Sequence, residues 1–156
     1  MTRRLQDELK QSRPFDTVEQ EVYLEIQRTA QVAQRWVAEA LKPSGLSPSQ
    51  FNVLRILRGA RPAALSSRMI GERMVNHDPD LTRLLDRLEA QGLVEKSRDT
   101  EDRRVVNVRV TKAGMARVEA ASKAVHERVK ESLGPLGPRK LGALADLLEQ
   151  VRAVQG

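Results

Sequence analysis

The stretch LTRLLDRLEAQGLVEKSRDTEDRRVVNVRVTKAG, residues 81–114, decides the fold. Its first part carries Leu81, Leu84, Leu85 and Leu88 at steps of one to four residues, which lines one face of an α-helix. Asp80, Thr82, Arg83, Asp86 and Arg87 fall on the polar face. Gly92 suits a helix stop, because glycine takes the left-handed backbone that ends many helices. After it the period drops to two: Leu93 to Arg98, and later Val106, Val108 and Val110, alternate with polar side chains. The polar run from Asp99 to Arg104 separates the two segments. Helix, strand, charged turn and strand together predict a β-hairpin packed beside a helix. Asp78 reads as the N-cap of that helix, with Pro79 at its first position.

Upstream, Ser47-Pro48-Ser49-Gln50 has the form of a capping box with proline at the first helical position, and opens a helix to about Arg58 with Phe51, Leu54 and Leu57 inward. Gly59 to Pro62 breaks the chain, and Ser66 or Ser67 starts a short helix to about Val75. Further out lie two long helical stripes. Phe15, Val18, Val22, Ile26, Ala30, Ala33, Val37 and Leu41 recur at helical spacing, with Asp16 or Thr17 to cap the start and Lys42-Pro43-Ser44-Gly45 to end it. Downstream, Thr111 caps a helix with Met115, Val118, Ala121, Val125 and Val129 on one side, stopped at Gly134-Pro135. A last helix carries Leu141, Leu144, Leu147, Leu148, Val151 and Val154.

Composition narrows the chemistry. The chain has 156 residues, 40% of them hydrophobic and 31% charged, with 27 Lys and Arg against 21 Asp and Glu, a formal net charge of +6. That length suits one domain with appended helices, and the basic excess favours a polyanionic partner. With no Cys, disulfides, thiolate metal sites and cysteine nucleophiles are excluded. His77 and His126 lie 49 positions apart without further ligands, so no metal centre is expected, and no nucleophile is paired with a base. The nine glycines are dispersed rather than clustered into a phosphate loop. Aromatics make up only 3%, too few for a base-stacking platform. No apolar run reaches the length of a leader or a membrane span, so a soluble cytoplasmic protein with no cofactor and no membrane partner is expected.

A helix pair followed by a basic-tipped hairpin has the shape of a duplex-DNA reader. A major groove about 12 Å wide admits one helix, and a minor groove about 6 Å wide admits an extended tip. Residues 61–112 hold 11 Lys and Arg against 9 Asp and Glu, so the distribution of charge must matter more than its total.

The wording of three stretches resembles the MarR-type winged helix-turn-helix transcription factors. Leu81 to Val94 is similar to the family's recognition helix and first wing strand. Asp102-Arg103-Arg104, followed by Thr111 and Gly114, is similar to its wing and the start of the next helix, and Leu46 to Gly59 to its second helix. The likeness runs in order over about residues 15–154. It implies a mainly α fold with a small β-hairpin wing, residues 46–110 forming the winged helix-turn-helix lobe and residues 15–42 and 111–156 the dimerisation helices.

The resemblance implies a helix from about Pro79 to Gln91 in the major groove, with Pro79, Asp80, Thr82 and Arg83 nearest the bases and Arg87 towards phosphate. His77 and Arg98 join as contacts beside them. Arg103 or Arg104 would enter the minor groove, an arginine there being held by Asp102, and Ser66, Ser67 and Arg68 would meet the backbone. The Asn76-His77-Asp78-Pro79-Asp80 approach departs from the family's Ser- and Thr-rich one.

Both long stripes are wider than a lobe of this size can cover. Pairing Phe15, Val18 and Val22 with Leu136, Leu141, Leu144, Leu148 and Val151 across a two-fold axis would cover them and give a homodimer on a palindromic operator. Many relatives are repressors released by phenolic or aromatic acids, which makes Gln34, Arg35, Trp36 and Phe51 candidates for an effector site. The competing readings are a winged module for protein–protein assembly without DNA, and a non-specific DNA binder.

Overall fold

The computed structural model describes residues 4–154. Among them the chain runs α1 (Leu5–Glu8), α2 (Val18–Leu41), α3 (Pro48–Ala60), β1 (Leu65–Ser66), α4 (Ser67–Arg73), α5 (Leu81–Ala90), β2 (Val94–Arg98), β3 (Val106–Val110), α6 (Lys112–Leu133) and α7 (Gly137–Ala153). The fold is mainly helical with one small antiparallel sheet.

The capping box at α3 is formed. Ser47 Oγ accepts the Gln50 N–H at 3.1 Å, and Gln50 Oε1 accepts the Ser47 N–H at 3.0 Å, satisfying two donors that a helix start otherwise leaves unpaired. Val53, Leu54 and Leu57 on this helix are fully buried. Around them pack Leu41, Ile70, Leu85, Leu88, Leu93, Val94, Val108 and Val118, drawn from the neighbouring helices and strands, so the lobe has one continuous core. The long helices α2 and α6 pack on each other, and α6 also packs on α3. Arg58 Nη1 donates to Ser122 Oγ at 2.9 Å across the α3–α6 contact.

The sheet is larger than the expected hairpin. β2 and β3 pair antiparallel with Val94 opposite Val110 and Arg98 opposite Val106, and β1 adds on the far side of β3 with Leu65 opposite Val108. Two residues are too few for an alternating pattern, so β1 has no periodic signal of its own. It is held because Leu65 is buried in the core.

Local hydrogen bonds fix where the helices begin. The first long helix starts at Val18, where Thr17, one of the two caps the sequence offers, accepts the Gln20 N–H on its Oγ1 at 3.2 Å. Phe15 precedes that cap. The helix expected to begin at Pro79, behind an Asp78 cap, starts at Leu81 instead. Asp78 Oδ1 accepts the Asp80 N–H at 2.9 Å, closing a local turn that uses up the carboxylate before the helix begins. The chain also forms the short α1, whose Leu5 is buried.

At the other end, α7 has no buried residue among those described. Leu136, Leu144, Leu147 and Val151 stand exposed there, as do Val18 and Val22 on α2. The chain by itself does not cover these faces. No helix among the described residues is long and apolar enough to cross a membrane.

Candidate nucleic-acid interface

Helix α5 is fixed by its apolar face: Leu84, Leu85 and Leu88 are buried and Leu81 packs against the core. Thr82, Arg83, Asp86 and Arg87 are therefore turned to solvent. Gly92, at φ +70°, reverses the chain after the helix. The Leu93 N–H then donates to Leu88 O at 3.0 Å, and β2 starts directly alongside α5.

Lys96 of β2 clamps strand to helix. Its ammonium pairs with Asp86 and lies 3.7 Å from Glu89, while its backbone N–H donates to Glu89 Oε2 at 3.0 Å. The hydrogen bond to Asp86, with the Glu89 carboxylate adding to it against the opposing effect of desolvation, holds the Lys96 pKa above its ordinary value. Two of the carboxylates on α5 are thereby paired with a cation on the neighbouring strand. Asp80, just before the helix, lies 3.5 Å from Arg83. Among the described residues Arg87 has no ion pair.

The wing tip is organised by Asp99, which the sequence shows only as a turn residue. Asp99 Oδ1 accepts the N–H groups of Glu101 at 2.9 Å and Asp102 at 3.1 Å, and Oδ2 accepts from Asn107 Nδ2 at 3.1 Å. The Asp102 N–H leads in depressing the Asp99 pKa below the usual aspartate value, followed by Glu101 and Asn107. Asp102 does not bind a guanidinium as expected. Its Oδ1 accepts the Arg104 backbone N–H at 2.9 Å, because the tight turn brings that donor nearer than any side chain. Arg98 Nη1 instead donates to Arg103 O at 2.8 Å, which ties the end of β2 to the tip. Arg103 and Arg104 are exposed.

These elements meet in a groove of about 420 Å³ lined by Ser66, Ser67, Arg68, Thr82, Leu85, Lys96, Arg104, Val105 and Val106. Five residues singled out from sequence, on three separate elements, thus share one concave surface: Ser66, Ser67 and Arg68 at the start of α4, Thr82 on α5 and Arg104 on the wing. Ser66 Oγ is already engaged as the cap of α4, accepting the Met69 N–H at 3.2 Å, and Arg68 pairs with Glu72 at 2.9 Å. His77, Pro79, Asp80, Arg83 and Arg87 lie outside the groove lining, exposed along the approach to α5 and on its outer face. Arg98, Asp102 and Arg103 are exposed on the wing.

The family model described as MarR family matches residues 46–106, from just before α3 to the first residue of β3. A MarR transcription factor from Planctomyces limnophilus, known by crystal structure, is 36% identical, with 88% of this chain and 99% of that one covered at a TM-score of 0.67. The chain belongs to the MarR family. The transcriptional repressor MdtR of Bacillus subtilis is 30% identical over 116 residues, 72% of this chain and 74% of that protein. A mutant MarR from Escherichia coli, solved in complex with operator DNA, is 29% identical with a TM-score of 0.75, covering 83% of this chain and 92% of that one. Like other MarR regulators, the protein is a DNA-binding transcription factor and not an enzyme.

A second concavity lies on the other side of α3. A cavity of about 280 Å³ is lined by Ala33, Gln34 and Val37 of α2, by Pro48, Ser49, Phe51, Asn52 and Arg55 of α3, and by Met74, Val75 and Asn76 before α5. Of the four candidates for an effector site in this MarR-type chain, Gln34 and Phe51 line it. Arg35 and Trp36 do not, since each step along a helix turns the side chain by about 100° and takes these two off the face that Ala33, Gln34 and Val37 share. Asn52 and Arg55 were missed. Arg55 lies four residues from Phe51 on the same helix face, and that spacing is the signal that could have found it, whereas Asn52, one residue on, carries none.

Proposed function

We propose that this protein is a cytoplasmic homodimer that reads a palindromic operator in double-stranded DNA and represses transcription until a small aromatic or phenolic acid releases it. The observation that carries the DNA reading is the groove shared by α4, α5 and the wing. It sets Thr82 and Arg104 beside the start of α4, so a helix in the major groove and a tip in the minor groove can engage one duplex face together. Arg83 and Arg87 on the outer face of α5 would meet base edges and phosphate, with Arg103 beside Arg104 at the tip. That MdtR is a repressor, and that the related Escherichia coli protein is found on operator DNA, supports the same role.

The dimer reading rests on apolar faces that the single chain leaves open: Val18 and Val22 on α2, and Leu136, Leu144 and Val151 at and along α7. Phe15, Leu141 and Leu148, each half-buried, extend the same surface. Fully burying each leucine there would contribute roughly 1.5–3 kcal/mol.

The effector reading rests on the cavity beside α3. Its volume suits a single-ring compound, Phe51 offers an apolar wall, and the Arg55 guanidinium can hold a carboxylate by paired hydrogen bonds. A guest acts only through its different affinity for DNA-competent and DNA-incompetent forms.

Selection of bound sequences from a random duplex pool at about 150 mM salt tests this, because non-specific electrostatic binding is weakened there. The expected product is a palindrome with half-sites about 10 bp apart, lost when Arg103 and Arg104 are both replaced by Ala. Recovery of no motif, with the dimer intact, would favour an assembly module instead.

A further inference from the structure

We propose that Asn52 is a positioning residue for DNA reading: its carboxamide holds the segment that delivers the recognition helix. The proposal rests on α5 being the DNA-reading helix. Residues 74–80 join α4 to α5, and they are sparsely anchored. Met74 packs on the core, whereas the Val75 side chain is 77% exposed. Asp78 bonds only to Asp80 within the segment, and Asp80 provides no side-chain cap for α5. The Val75 N–H donates to Asn52 Oδ1 at 3.0 Å. Among the described residues this is the one hydrogen bond that ties 74–80 to an element remote in sequence.

Asn52 is well suited to this task because its helix does not move independently: Val53 and Leu54, the next two residues, are fully buried. The acceptor is thus fixed in the core while the donor belongs to the segment it restrains. Helix α5 begins six residues after Val75 and has no cap of its own, so the angle and register at which it starts depend on this tether. Asn52 and Val75 both line the cavity beside α3, so the bond forms part of that cavity's wall. Losing the acceptor leaves an N–H near the surface that water can satisfy, so the effect is local rather than global.

The test compares full-length Asn52→Ala and Asn52→Asp with the unaltered protein, reading Val75 amide exchange without DNA and affinity for the selected operator. Asn52→Ala is expected to speed Val75 exchange by about tenfold and to weaken operator binding by roughly three- to tenfold, with the salt dependence and Tm unchanged. Asn52→Asp keeps an acceptor oxygen and is expected to retain both properties. Unchanged Val75 exchange in Asn52→Ala would overturn the proposal, as would a freed Val75 amide with unaltered operator affinity. Failure of the DNA reading itself would be told apart, because the unaltered protein would then select no operator at all.

Discussion

Gly114 lies against the Leu93 carbonyl so closely that a Cβ added to it would overlap that oxygen and come within 2.8 Å of Val110 Cγ2. This is where the DNA-reading lobe meets the long helix α6. Thr111 completes the junction: its Oγ1 donates to Gly92 O at 2.7 Å and accepts the Gly114 N–H at 3.0 Å, while the Thr111 N–H donates to Leu93 O at 3.1 Å. The residues that follow α5 and the start of α6 are thus hydrogen-bonded together, with no room for a side chain at Gly114.

Gly114→Ala is expected to destabilise the protein by about 2–3 kcal/mol, since the obstructing atom is backbone and cannot swing aside. Gly59→Ala makes the same chemical change where nothing lies within 4 Å of the added Cβ. Being in a helix, it is expected to be neutral or to gain up to about 1 kcal/mol. Thermal melts of the two at equal protein concentration check the contrast, and a loss of stability in both would refute the crowding argument.

Lys96→Met leaves Asp86 and Glu89 without their cation on α5, the helix proposed to face DNA. Operator affinity is expected to fall by about tenfold, and Asp86→Asn in the same chain to restore part of it, because the penalty comes from the uncovered charge. The number of phosphate contacts is unaltered, so the slope of log affinity against log salt should stay the same. A slope shallower by about 0.9, with no rescue, would show Lys96 itself on phosphate.

Asp99 makes the wing sensitive to acid. Its folded pKa lies below the usual value of 3.8, so its contribution is full above about that pH and is lost as the pH falls through the lowered value. Amide resonances of Glu101 and Asp102 followed from about pH 6 to 2 should titrate together with a midpoint under the ordinary one. A midpoint at or above it would mean that the carboxylate does not organise the tip. Asp99→Ala should loosen the same amides at neutral pH while leaving Val108, buried in the sheet, protected.

Leu144→Glu puts a charge on the open face of α7, where Leu144 is 41% exposed in the single chain. It is expected to convert the proposed dimer to monomer in sedimentation velocity at micromolar concentration, since a carboxylate cannot be buried unpaired in an apolar interface. An unaltered sedimentation coefficient would remove α7 from the dimer.

Most of the architecture was legible because it depends on near neighbours. The leucines of α5, the capping box at Ser47 and Gln50, and the alternating valines of β3 each state their element within a few residues. So does the stop at Gly92. The combination of these with Asp102-Arg103-Arg104, Thr111 and Gly114 was enough to identify a winged helix-turn-helix regulator, and it named five of the residues that line the groove.

Other features needed the folded chain. Asp16 and Thr17 both stood ready to cap α2 and only the backbone path selected Thr17, while Asp78 is turned to the Asp80 N–H and leaves α5 without a side-chain cap. β1 exists because β3 is there to pair with it. The choice of Gln34 over Trp36 for the cavity turns on the rotation of α2 against α3, and the tethers from Asn52 to Val75 and from Lys96 to Asp86 join residues 23 and 10 positions apart. Local periodicity determined what each segment of this protein becomes, because helix and strand preferences act over a few residues. Which polar groups found one another was decided by packing, because a hydrogen bond needs two groups within about 3 Å, and only the closed core sets that distance.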